Sequence, residues 1–168
     1  MQPIPEPGPE SLAAPRAVGA LIAPVVACLR GDDEGVRILI DDACEEGAAA
    51  DLVRAAPAVA RVYLRLAPPP YGAQRIVDAY AEAAIERFHD PEVVTLGAEC
   101  LHVARVAPTI ESLARAVFVS DALDHGEQCA LVGAVASCWW CAFLSARLRA
   151  VDPIEEAAAI CRYIARVA

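Results

Sequence analysis

The chain has 168 residues, a length that suits one domain with a sizeable core. Hydrophobic residues make up 57% and aromatics 5%, so the apolar weight is small and aliphatic, and disorder is excluded for most of the chain. The net charge of −9 excludes the basic face that a phosphate-backbone binder needs, and no nucleic-acid partner is expected.

Met1 to Glu10 carries Pro3, Pro5, Pro7 and Pro9 and reads as a polyproline-like or disordered tail. Residues 11–168 read as a single helical domain. The first helix is expected from Ser11, a plausible N-cap, to Arg30, with a kink or break at Pro24. Asp32 or Asp33 caps a second helix that runs to Glu46 and stops at Gly47. A third spans Ala48 to Leu66; Asp51, Arg54, Arg61 and Arg65 share one face on both sides of Pro57, which favours one kinked helix. Pro68, Pro69 and Pro70 form a stiff break.

The fourth helix, Gly72 to Phe88, has a wet face of Arg75, Asp78, Glu82 and Glu86. Its dry face is Ile76, Val77, Ala81, Ala84, Ile85 and Phe88. Asp90-Pro91-Glu92 is the strongest start signal in the chain and opens a fifth helix to Val106. Pro108 and Thr109 open a sixth, which ends near Asp124 with Gly126 as a left-handed cap. The seventh runs from Glu127 to Arg149, and Asp152, Pro153 and Glu155 start the eighth. No stretch alternates with period two between turn signals, so no strand is expected. The fold class is therefore all-α, a compact bundle of seven or eight helices. The alternative is a short α-solenoid, because helical pairs recur at 32–66, 71–107 and 109–150.

Gln128 to Ala146 holds no charge over 19 residues, just enough to span a bilayer. Its small residues dilute the hydrophobicity, and a buried central helix is the preferred reading over a single membrane span. Leu131, Val135, Trp139 and Phe143 form one bulky stripe, and Val132, Ala136, Trp140 and Leu144 another. Gly133, Ser137, Cys141 and Ser145 form a small one that permits close backbone approach. All three faces are expected to be in contact.

Seven cysteines at irregular spacing, with no basic and apolar leader at Met1, point to reduced thiols and a cytoplasmic location. Cys138-Trp139-Trp140-Cys141 places two thiols on one helical face, eleven residues past Glu127. A CxxC inside a helix with an upstream Glu resembles the alkylhydroperoxidase D-like peroxidases. That resemblance implies thiol redox chemistry by Cys138 and Cys141 assisted by Glu127. Trp140 and Ser145 stand where that family's histidines are expected, so the proton relay is missing. Mid-helix thiols among Trp and Val are expected to stay protonated and inert.

The second helix ends in Asp41, Asp42, Glu45 and Glu46. Asp41 with Glu45 and Asp42 with Glu46 are like charges four apart, and all four crowd a helix C-terminus, where the dipole disfavours anions. A local rule broken twice marks a candidate partner-binding patch for a basic protein or for Arg54, Arg61 and Arg65 of a second copy. Asp41-Asp42-x-x-Glu45 also resembles the metal-diphosphate motif of helical terpene synthases. The second metal motif of that family normally includes Asn, which this chain lacks.

His89 and His125 fall in last turns, and His102 shares a wet face with Glu92, Thr95 and Glu99. They are too scattered for a metal motif, and no G-x-S-x-G, P-loop or G-x-G-x-x-G occurs, so neither metal nor cofactor is expected. The leading expectation is a non-enzymatic helical protein-interaction module, with a protein partner or self-association. The alternatives are a thiol redox enzyme and a single-span membrane-associated protein.

Overall fold

The computed structural model describes residues 14–106 and 108–167. The Met1–Glu10 tail and the Ser11 cap fall outside the described residues. Among the described residues eight helices account for 87% of positions, and no strand occurs. They are α1 (Ala14–Leu29), α2 (Asp33–Glu45), α3 (Ala49–Leu66), α4 (Gly72–Phe88), α5 (Pro91–Arg105), α6 (Pro108–Asp124), α7 (Glu127–Arg149) and α8 (Pro153–Val167).

The start signals act as their chemistry dictates. Asp32 accepts a hydrogen bond from the Gly35 N–H at 2.9 Å, and Asp90 accepts one from Glu92 N–H at 2.9 Å with Pro91 at the first helical position. Asp152 accepts from the N–H groups of Ile154 and Glu155 at the start of α8. Gly47 takes a positive φ of 72° after α2. Gly126 departs from its expected role. Its φ of 96° with ψ of 147° is not left-handed helical; it is the extended turn that leads into α7.

Neither internal proline breaks its helix. Pro24 and Pro57 are buried inside α1 and α3, flanked by the fully buried Leu21, Val25, Val53 and Val59. The missing N–H costs one ladder bond, and apolar burial on the same faces offsets it. In α4 the dry face is rotated from expectation. Tyr80 is buried, whereas Ala81 and Ile85 are exposed.

α7 is the hub. It packs against all seven other helices, most extensively α3 and α5, and it contributes buried side chains from Ala130 to Ala146. A solenoid confines each repeat's contacts to its neighbours, so these long-range contacts make the fold a compact bundle. The two bulky stripes are fully buried at Leu131, Val135 and Ala136 and open at Val132 and further along α7. Gly133, Ser137, Cys141 and Ser145 are all buried, while Trp139, Trp140, Phe143 and Leu144 are only half-buried. A Cβ on Gly133 would lie 2.7 Å from Leu96 Cβ of α5, so that close approach requires glycine. Likewise a Cβ on Gly97 of α5 would lie 1.7 Å from the Tyr80 hydroxyl oxygen of α4.

α4 runs antiparallel to α7. The Trp140 indole N–H donates to the Ile76 carbonyl, early in α4, at 2.8 Å, and Phe88 at the end of α4 lines a shallow pocket together with Val132 near the start of α7. Arg87 beside Phe88 pairs with Asp33 at the start of α2 and stands beside Cys28 in the last turn of α1. The end of α1 therefore lies near the first half of α7.

Candidate functional site

The chemistry-bearing residues sit in four places. Cys138 and Cys141 are on the inner side of α7, both 0% exposed. The Cys138 thiol donates to the Ala56 carbonyl of α3 at 3.5 Å. Burial, then the neighbouring Cys100, pushes both thiols well above the ordinary value, and the same burial raises Cys100 to about 12. The helix terminus that would favour a thiolate is about 16 Å away, eleven residues at 1.5 Å each. Glu127 does not reach this pair. It lies near Cys44 of α2, whose thiol is raised by burial and then by Glu127 and Asp41.

The acidic end of α2 is divided between the fold and solvent. Asp41 is half-buried; it pairs with Arg37 at 3.2 Å and accepts a hydrogen bond from the Gln128 side chain of α7 at 2.5 Å. Asp42, Glu45 and Glu46 are exposed. The candidate partner for this patch is divided too. Arg54 is exposed beside Asp51, and Arg65 is exposed, but Arg61 turns inward. Its guanidinium donates to the carbonyls of Ala104, Val103 and Val106 at 2.9, 3.4 and 3.0 Å. A cation there satisfies the orphan carbonyls at the end of α5 and meets the negative end of its dipole.

A third cluster escaped sequence reasoning. Cys129, in the first turn of α7, donates its thiol proton to Glu92 Oε2 of α5 at 3.5 Å. His125 Nδ1 lies 3.5 Å from the same oxygen. A shallow pocket of about 280 Å³ opens beside them, lined by Phe88, Asp90, Val93, Gln128, Cys129 and Val132. The available signal was the four-residue spacing of His125 and Cys129 around Gly126, together with Glu92 in the first turn of α5. A thiol at a helix N-terminus is ordinarily acidified. Here burial, the hydrogen bond to Glu92, and the charges of Glu92 and Asp90 push it up to about 11. Cys129 is therefore a protonated hydrogen-bond donor at neutral pH. His89 and His102 are exposed, and no metal-binding group of three His, Cys, Asp or Glu occurs among the described residues.

The fourth place is between α3, α7 and α8. Arg149 bonds Glu156 and Ser145, and Ser145 donates to the Tyr63 carbonyl at 3.3 Å. The Tyr63 hydroxyl and Arg149 Nε are buried with no hydrogen-bond partner among the described residues.

Large apolar side chains are exposed on α6. Ile110, Leu113 and Val117 are 54%, 72% and 52% exposed at positions i, i+3 and i+7, while Phe118, Val119 and Ala122 face the core. α7 is the one described helix long and apolar enough to cross a membrane, and most of it is buried within the bundle. No protein-family model matches the chain, and comparisons with curated proteins and with solved structures return no match.

Proposed function

We propose that this protein is a non-enzymatic helical module that binds protein surfaces, with a second copy of the chain as the first partner to test. The observation that carries the reading is the α6 stripe of Ile110, Leu113 and Val117, three large aliphatic side chains facing water on one helix face. Such a stripe matches the spacing by which one helix lies against another in an interface. The exposed Asp42, Glu45 and Glu46 supply a separate anionic surface, suited to orienting a basic partner rather than to supplying affinity. Thiol redox chemistry has weaker support, because Cys138 and Cys141 are sealed from solvent and held protonated.

Sedimentation velocity of the wild-type chain and of Leu113→Glu with Val117→Glu tests the proposal. The expected result is a wild-type oligomer that dissociates in the double variant with an unchanged helical spectrum. A wild-type chain that sediments identically to the variant at every concentration removes self-association through α6.

A further inference from the structure

The shallow pocket beside Cys129 joins apolar walls to negative charge. It measures about 280 Å³ and lies where α4 ends and α5 and α7 begin. Phe88, Val93 and Val132 supply its walls, and Asp90, Gln128 and Cys129 its polar lining. Asp90 caps α5 through Oδ1, which takes the Glu92 N–H at 2.9 Å; its Oδ2 has no hydrogen bond or ion pair among the described residues. Glu92 Oε2 stands 3.5 Å from the Cys129 sulfur and 3.5 Å from His125 Nδ1. After burial and the Glu92 hydrogen bond, the charges of Glu92 and Asp90 hold the Cys129 thiol up, so both carboxylates are felt at the pocket. The Arg87 guanidinium, 5.7 Å from the centre of the Phe88 ring, is committed to Asp33 at 2.6 Å. Gln128 bonds Asp41 at 2.5 Å, which makes the pocket continuous with the acidic end of α2.

We propose that this pocket receives a lysine side chain of a basic protein partner, its methylene stem against Phe88, Val93 and Val132 and its ammonium at the Asp90 carboxylate. The inference rests on the reading of the chain as a protein-binding module, but on a different surface from α6. Charge complementarity selects a cation, and the apolar walls select one carried on a stem. Lysine fits better than arginine. A guanidinium fork is matched by a carboxylate with both oxygens free, whereas Asp90 has already committed Oδ1 to the backbone. A compact ammonium needs only the remaining oxygen. The size also fits, because enclosed sites for drug-sized ligands begin at roughly 300 Å³ and this one is smaller and shallow. The chain itself contains no lysine, so the occupant belongs to another protein and not to a second copy.

The test is an NMR titration of the isotope-labelled full chain at pH 7 with a capped hexapeptide of alternating glycine and lysine. The Val93 and Cys129 amides and the Gln128 side-chain amide are expected to move saturably. Asp90→Asn keeps the cap, because Asn accepts the same N–H, and removes the charge. It is expected to raise the midpoint about fivefold with an unchanged helical spectrum. The peptide with acetylated lysines is expected to move nothing. Replacing lysine by 2,4-diaminobutyrate keeps the charge and shortens the stem, and is expected to weaken binding severalfold. No movement of these signals overturns the proposal, as does a midpoint unchanged in Asp90→Asn or equal binding of the two cationic peptides. Spermidine that binds as tightly as the lysine peptide overturns the protein partner and assigns the pocket to a small amine. These signals do not report on α6, so a negative result here leaves self-association standing, and a monomer in sedimentation leaves the peptide result standing.

Discussion

Replacing Gly97 by alanine tests how closely α4 and α5 approach. The added Cβ would lie 1.7 Å from the Tyr80 hydroxyl oxygen and 2.4 Å from ring carbon Cζ. Tyr80 is 1% exposed and donates to the Val93 carbonyl at 3.2 Å, so the ring has little room to retreat. Alanine gains about 1 kcal/mol of helix propensity over glycine. Against this stand about 1–3 kcal/mol for forcing a methyl into a packed core and a similar cost if the tyrosine hydroxyl loses its buried partner. The net expectation is a loss of about 3 kcal/mol, read as a fall in Tm of roughly 6–12 °C for a chain of this size. Thermal unfolding followed by circular dichroism measures it. Adding Tyr80→Phe removes the nearest atom but leaves Cζ, so the double variant should recover part of the loss, with a coupling that exposes the contact. A Gly97→Ala chain as stable as wild type, or more so, would refute the close approach.

Arg61→Gln should cost about 1.5–3 kcal/mol by removing a charged donor from the end of α5, and should speed amide exchange selectively in the last turn of α5; uniform exchange would count against it. Cys138 and Cys141 should resist alkylation in folded protein at pH 6, with labelling by mass spectrometry confined first to the half-buried Cys44, Cys129 and Cys161. With its pKa at about 11, Cys129 holds roughly one thiolate in 10⁴ at pH 7, so its rate should still climb well above pH 9. Stability should be full below pH 9.0, the ordinary thiol value, and decline up to about 12. The reason is that Cys28, near 11, and Cys100, near 12, keep their protons in the folded chain after unfolded thiols have lost theirs. A Tm that is flat from pH 8 to 11 would contradict this. Asp42→Gln with Glu46→Gln should raise stability by a few tenths of a kcal/mol by relieving like-charge and dipole conflicts; a loss of oligomer or partner would instead establish the patch as a contact surface.

The helices were legible where a single side chain decides the matter. Asp32, Asp90 and Asp152 have short acceptors that reach the first free N–H groups whatever the tertiary context, and α7 has the bounds its uncharged run implies. What periodicity could not decide is rotation. The dry face of α4 is centred on Tyr80 because Gly97 leaves room for its ring, a fact carried by another helix. Arg61 matched a solvent stripe by spacing, yet its long side chain finds the carbonyl end of α5, 43 residues away in sequence at Ala104. Pro24 is expected to kink or break α1 because its local cost is visible in sequence and the packing that offsets it is not, whereas the shared polar face on both sides of Pro57 implies one helix, and α3 runs through it. The acidic end of α2 was noticed because it breaks local rules. One member, Asp41, has its partners in Arg37 and Gln128, and the second of these lies 87 residues on. The Cys129 cluster went unseen because its members come from different helices.

The helix around which the others are arranged is the seventh to be made. While a nascent chain emerges from the ribosome, α3 and α5 are exposed long before the small-residue face of α7 arrives to cover them. Val53, Val59, Leu96 and Leu101 must therefore wait in water or in a non-native contact. Helices of this length are marginal without tertiary support, so the first six cannot settle into their final arrangement during synthesis. A protein ordered in this way completes its core only after translation of α7.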